Sequence, residues 1–272
     1  MGLDCFPERP PGVSWDWDRD WGHKRHWETL GGRTLGVGLG LVPLDMAQNS
    51  FDDQYLTCAD NMAKKVPDLK CTDFLQNEEF AQRWSEARDV WEKRGRLKAH
   101  LSQDEAIAFM TYTMGKVHKE FNAAVHEAGY SYWQYWNNFH FKTLHFLLTR
   151  ALQKLRDPNK CQNVFRGVSG EKYKVKKGDK IRFGYFASTS LSRGVSVRYG
   201  TRTMFRVHSC QGANIQKFPY NRSHLEVLIP PFETFNVTDV TCEGATMDME
   251  LRSTGILSNH NCTWLPGDVM AP

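Results

Sequence analysis

At Asp157-Pro158 the texture of the chain changes, and that change limits the architecture more than any single motif. From about residue 73 to 156 apolar residues recur at helical spacing. "FLQNEEFAQRWSEARDVWEKR" sets Phe74, Phe80, Trp84 and Trp91 on one stripe, and Gly95 follows near its end. "SQDEAIAFMTYTMGKVHKEFNAAVHEAG" opens with Ser102 and Glu105, a capping-box pair, and closes at Gly129. "NFHFKTLHFLLTRALQKLR" carries a broad apolar stripe and stops before Asp157-Pro158. Downstream come short β-rich runs, "KIRFGYFAS", "TMFRVHS", "LEVLIPP", "ETFNVTDVT" and "TMDMELRS", separated by Gly, Pro and Asn. Helices first and strands afterwards predict an α+β fold rather than alternating βαβ units.

Within this frame most features have plain readings. The aromatic cluster "YSYWQYWNNFHF" reads as core packing where helices cross. Lysines 172, 174 and 176 of "EKYKVKKGDK" share one strand face, a solvated or edge-protecting arrangement. A chain of 272 residues with 40% hydrophobic content can bury a substantial core. A net charge of +4 is well short of a dedicated nucleic-acid binder but compatible with a compact anionic ligand. No apolar run approaches the roughly 18 to 20 residues that span a bilayer, and the end "NCTWLPGDVMAP" lacks the hydrophobic tail of a lipid-anchor signal.

The amino end is unusual. Residues 1 to 30 hold four of the nine tryptophans, and "LGVGLGLV" is only a fragment of a secretory h-region. The expected organisation is an atypical segment over 1–45, one domain over 46–266 (a helical lobe 46–157 and a β-rich lobe 158–266), and a tail 267–272. Seven scattered cysteines, without C-x-x-C or zinc-type His spacing, suggest disulfides and leave at least one unpaired. Sequons occur at Asn221, Asn236 and Asn261.

Three pieces of the β-rich half carry chemistry together. "NVFRGV" presents Arg166 among apolar residues beside Gly167, "GYFASTSL" closes an aromatic strand with Ser188, and "RSHLEVLIPP" places His224 and Glu226 two apart, hence on one strand face. This order of Arg, S-T-S and a Glu heading an apolar run resembles the R-S-E-x-E pattern of the vertebrate ecto-mono-ADP-ribosyltransferases. The resemblance extends from "VPLDMAQNSFDDQYLTC" through "FNAAVHEAG" and "FHFKTLHFLLTRAL" to "NC" at 261 and 262.

The resemblance implies a helical lobe packed on a mixed β-sandwich with an NAD cleft, and transfer of ADP-ribose from NAD or NADP to arginine in acceptor proteins. NAD is then a substrate, with no permanently bound cofactor and no metal. By match to the family motif, Glu226 is the catalytic carboxylate that steadies an oxocarbenium-like ribose. Arg166 grips the pyrophosphate with its planar fork, and Ser188 orients the glutamate. Gly167 lets backbone approach the nicotinamide amide, Tyr199 lies beside nicotinamide, and Tyr112 meets the nucleotide from the helical side. The resemblance also pairs Cys58 with Cys262 and Cys161 with Cys210, leaving Cys5, Cys71 and Cys242 unassigned, with a Cys71–Cys242 bridge as one option. Disulfides favour an oxidising compartment, so a secreted or granule-lumen protein is expected.

His224 departs from the pattern, which has glutamate there in arginine-modifying members. A carboxylate at that position receives the acceptor guanidinium; a neutral imidazole offers one acceptor and no charge. Two alternatives therefore stand beside arginine transfer: an NAD glycohydrolase, with His224 as a general base toward water, and a catalytically silent NAD-binding protein. Glu233 lies beyond Pro230-Pro231, too far along the chain to replace the missing carboxylate.

Overall fold

A computed structural model of the protein describes residues 41–94, 100–218, 220 and 227–262. Leu41–Pro43 forms β1, followed by helices α1 (Ala59–Gln76), α2 (Glu78–Arg94), α3 (Gln103–Tyr112), α4 (Val117–Ala128), α5 (Tyr132–Asn138) and α6 (Lys142–Leu155). The β-rich half then supplies β2 (Gln162–Val168), β3 (Lys172–Lys174), β4 (Lys180–Arg182) and β5 (Ala187–Thr189). A short helix α7 (Arg193–Ser196) and a 3₁₀ turn at Val197–Tyr199 precede β6 (Thr203–Ser209), β7 (Ala213–Asn214), β8 (Val227–Ile229), β9 (Glu233–Glu243) and β10 (Thr246–Ile256). The α+β class is as expected.

Local chemistry explains where the helices break. The Ser102 capping box forms, with Glu105 N–H donating to Ser102 Oγ and Ser102 N–H to the Glu105 carboxylate. The run beginning at Phe74 is two helices because Asn77 leaves helical geometry and its Oδ1 accepts Phe80 N–H at 3.0 Å, starting α2. The run from Ser102 to Gly129 divides likewise around Gly115, whose φ is +51°. Helix α1 extends about fourteen residues upstream of the expected start at 73, taking 59 against 73. Pro67 lies inside it, and the lysine-rich segment around that proline masks the periodicity. The aromatic cluster is only half core. Tyr135, Phe139 and Phe141 are buried, whereas Tyr130 (73% exposed), Tyr132 and Trp133 (64%) face solvent, because one side of short α5 turns inward.

The β half is a sandwich. A mixed sheet in the order β2-β6-β10-β9-β4, with β6 and β10 parallel, packs against an antiparallel sheet β5-β8-β7. Val164, Val207, Leu251, Val237 and Phe235 from the first sheet meet Ala187, Val227 and Ile229 from the second in one buried cluster. A short parallel pair β1-β3 lies apart from these, with Lys172 and Lys174 flanking buried Tyr173, as the alternating lysines predict. "KIRFGYFAS" is not one strand. Its halves β4 and β5 belong to different sheets, joined by a bend at Gly184 with φ +67°. A Cβ there would meet Ala47 Cβ at 2.3 Å, so the crossover requires glycine.

Both expected disulfides are present, Cys58–Cys262 and Cys161–Cys210. The first links residues 204 apart, tying the start of the helical half to the end of the last described segment. A Cys71–Cys242 bridge is excluded: Cys242 is a free, exposed thiol, and Cys71 is disulfide-bonded elsewhere. Cys5 lies outside the described residues. His208 clusters with Cys161 and Cys210, but the disulfide consumes both thiols and removes the metal-ligating chemistry.

Candidate functional site

A cleft of about 740 Å³ opens between helix α4 and the end of the sandwich formed by β2 and β5, within the range of small-molecule sites. Arg166, Gly167, Ser188, Tyr112 and Tyr199 all line it. The two strands that carry Arg166 and Ser188 are edge strands of different sheets. An isolated bridge, Phe165 to Ser190, brings them together, with Phe165 N–H donating to Ser190 O at 2.8 Å.

Arg166 Nη1 donates to the Ser188 carbonyl at 2.8 Å, and the guanidinium lies 5.6 Å from the centre of the Tyr185 ring. Its Nε is buried with no hydrogen-bond partner among the described residues. A half-buried guanidinium with unused donors, in a cleft, is a site for an anion.

Ser188 is held by a network that reaches across the two halves. The Tyr112 hydroxyl lies 2.8 Å from the Phe186 carbonyl and 3.1 Å from Ser188 Oγ. Asn122 Nδ2 donates to the Tyr112 oxygen at 3.2 Å and to Phe186 O at 3.0 Å, while its Oδ1 accepts Phe186 N–H at 3.1 Å. One amide thus satisfies both backbone polar groups of Phe186, the residue just before β5, on the far side of the cleft. Burial raises the Tyr112 pKa, so its hydroxyl stays protonated.

Helix α4 presents His118, Asn122 and His126 to the cleft at four-residue spacing. The helical period of "VHKEFNAAVHEA" contains this signal, yet the sequence reading singled out none of the three. Tyr185 was also missed, since it sits in a bend between strands. Burial, then Lys119 and Arg166, hold the His118 pKa below its usual value, so His118 is neutral near pH 7.

Gly167 lines the cleft and is also constrained by packing. A Cβ on it would meet Ser196 O at 2.2 Å and Gly200 O at 2.4 Å. Its hydrogen therefore faces the backbone of the 196–200 turn, and its absent side chain lets that turn close on β2. Tyr199, on the same turn, is 46% exposed at the cleft. Tyr112 reaches the site chiefly through Ser188: only 1% of it is exposed. Glu233 is fully buried, accepting from Ser209 Oγ and from the N–H groups of Cys210 and Gln211, so it is a structural carboxylate away from this cleft. His224 and Glu226 lie outside the described residues.

Asn122 should matter to chemistry without touching the ligand. Asn122→Ala leaves the Phe186 N–H unpaired and is expected to lower kcat/KM for NAD about tenfold, the equivalent of one lost buried hydrogen bond. Steady-state kinetics alongside thermal melting would check this. A fall in stability with unchanged kinetics would make the residue a fold element only.

The comparisons agree with this geometry. The NAD:arginine ADP-ribosyltransferase family model matches residues 44–259. NAD(P)(+)–arginine ADP-ribosyltransferase 2 of Gallus gallus is 44% identical over 234 residues, covering 84% of this chain and 75% of the relative. The GPI-linked NAD(P)(+)–arginine ADP-ribosyltransferase 1 of Homo sapiens is 39% identical, over 82% of this chain and 75% of that protein. Among solved structures, the eukaryotic mono-ADP-ribosyltransferase ART2.2 superposes with a TM-score of 0.71 at 32% identity, covering 82% of this chain and 100% of that one. A mutant of ART2.2 in complex with NAD gives a TM-score of 0.70. With the family model spanning nearly all the described residues, around a cleft built on Arg166 and Ser188, this chain belongs to the NAD:arginine ADP-ribosyltransferase family.

Proposed function

We propose that the protein binds NAD or NADP in the Arg166 cleft and transfers its ADP-ribosyl group to arginine of acceptor proteins, releasing nicotinamide. The bond between ribose C1′ and the nicotinamide nitrogen breaks, and one forms between C1′ and an acceptor guanidino nitrogen, which loses a proton. The observation that carries the reading is Arg166, fixed by the Ser188 carbonyl in the wall of the cleft, with its buried Nε unpaired among the described residues. The assigned domain is 46–266, with its helical part at 46–157 and its β-rich part at 158–266.

In this reading Arg166 holds the pyrophosphate, Tyr199 covers the nicotinamide, and Glu226 steadies the positive ribose. Ser188 orients Glu226, and the Asn122 network supports that role. An ionised carboxylate only accepts, so Ser188 must donate to it. The Tyr112 proton goes to the Phe186 carbonyl, so the Ser188 hydroxyl, 3.1 Å from the Tyr112 oxygen, supplies its own proton and rotates it to Glu226. Two disulfides support an oxidising compartment. No helix among the described residues is long and apolar enough to cross a membrane. The relatives include proteins named GPI-linked and ecto-ADP-ribosyltransferases, which supports a location outside the cell or on its surface, and the disulfides are what favour a secreted or granule-lumen protein within that reading.

A second reading, NAD hydrolysis, is favoured by His224 at the acceptor position. Incubating the protein with adenine-labelled NAD, with and without an arginine analogue, separates the two. ADP-ribosyl-arginine supports transfer, free ADP-ribose alone supports hydrolysis, and unchanged NAD sinks both. His224→Glu restores a second carboxylate one strand repeat from Glu226. It is expected to raise arginine transfer at least about tenfold, the scale of one charge-assisted hydrogen bond. An unchanged transfer rate would remove His224 from the acceptor site.

A further inference from the structure

The outward face of the five-stranded sheet holds a second concavity, of about 690 Å³, which the reaction above does not use. Its lining comes from the residues that alternate with the core positions: Asn163 and Phe165 of β2, Arg206 and His208 of β6, Glu250 and Arg252 of β10. Register makes one row of these. Asn163 lies opposite His208, His208 opposite Arg252, Arg252 opposite Asn236, and Asn236 opposite Lys180. Each strand of the sheet contributes one residue to that row, and none is a carboxylate.

Arg252, Lys180 and Arg206 are exposed. Among the described residues none has an acidic side chain within ion-pairing distance, although Glu250 is the register partner of Arg206. The neighbouring row mixes charges, with Arg206 opposite Glu250 and Glu250 opposite Asp239, whereas the row through Arg252 continues beyond the concavity to Lys180 without a carboxylate. Phe165 lines both this groove and the NAD cleft, so the two concavities share a wall one strand thick.

We propose that this groove docks an acidic segment of the protein acceptor, which rests on the transfer reading above. Carboxylates of the segment pair with Arg252 and Lys180 along the row that holds no carboxylate, while Glu250 and Asp239 in the neighbouring row repel them and so keep the segment on that row. The shared wall argues for a protein partner over another polyanion. A body seated here reaches the neighbouring cleft with a second part of its surface, as a protein presenting a target arginine does. Charge complementarity of this kind acts on association and specificity.

The test uses the whole protein and a fluorescent peptide with four consecutive glutamates, with its glutamine counterpart as control. Anisotropy is expected to show salt-sensitive binding of the glutamate peptide only. The double variant Lys180→Glu/Arg252→Glu should weaken that binding at least about tenfold. The same variant should raise KM for an acceptor with an acidic segment beside an exposed arginine, leaving KM for NAD and turnover of a small guanidino acceptor unchanged. If the charge reversal prevents folding, Lys180→Gln/Arg252→Gln gives the same readouts at smaller size. Equal binding of the two peptides, binding that survives the variants, a parallel rise in KM for NAD, or a sulfated oligosaccharide taking the groove in place of the peptide would each overturn the proposal. A protein that leaves NAD unchanged refutes the transfer reading alone, because the peptide arm still decides docking.

Discussion

Arg166→Lys is expected to lower kcat/KM for NAD about a hundredfold, even though the charge is kept. The guanidinium does two things that an ammonium cannot do together. It spends one N–H on the Ser188 carbonyl at 2.8 Å, and it lines the cleft with a planar fork suited to a pyrophosphate. Lysine offers a point charge on a flexible stem, so it either leaves the Ser188 carbonyl or leaves the pyrophosphate. Two charge-assisted hydrogen bonds at roughly 1.5 kcal/mol each correspond to about two powers of ten. The loss should appear first in NAD affinity, since the pyrophosphate is gripped before and during bond breaking alike. Calorimetric titration of NAD beside steady-state kinetics would show it. Equal NAD affinity in the two proteins would mean that Arg166 braces β5 and does not hold the dinucleotide.

Arg182→Met should have the largest effect on stability, far from the cleft. Arg182 and Asp52 form a fully buried ion pair. The guanidinium also donates to Met46 O, Ala47 O and Leu257 O, and Asp52 accepts from the backbone N–H groups of Asn259 and His260 and from the His260 ring. Burial pushes the Asp52 pKa up, but the His260, Arg182 and Asn259 bonds outweigh it and leave the carboxyl below its usual range. Removing the arginine takes the counter-charge from this carboxylate and a donor from three carbonyls, of which Ala47 O keeps the Ser50 N–H. Breaking a buried pair in this way costs about 3–5 kcal/mol, or roughly 10 °C in a domain of this size. Differential scanning calorimetry would measure it. A shift under about 2 °C would show that water enters the site and replaces the pair. The stabilising bonds need the ionised Asp52, so this contribution is present above the ordinary carboxylate pKa and fades as pH falls below it.

Much of the architecture was legible because it is written in local patterns. The shift at Asp157-Pro158 separated helices from strands, the Ser102–Glu105 pair marked a helix start, and "TMFRVHS" matches β6 over Thr203–Ser209. Where the reading missed, a local signal was absent or overridden. Helix α1 carries Pro67, the break at Asn77 depends on one side-chain cap, and the bend that splits β4 from β5 exists because Ala47 packs where a Cβ on Gly184 would be.

The site divides along the same line. The chain order of Arg166, Ser188 and Glu226, with His224 in place of a carboxylate, is a property of the sequence, because each residue type is tied to a chemical task. Asn122 is different. Its importance comes from reaching, across the cleft, both polar groups of Phe186 and the hydroxyl that holds Ser188. Such a bond joins residues 64 apart and follows no period along the chain. The same holds for Gly167, whose packing against the 196–200 turn arises only in the folded chain. Sequence alone named the reacting groups; the tertiary structure decided which other side chains hold them, since that depends on distances created only when the two halves close on each other.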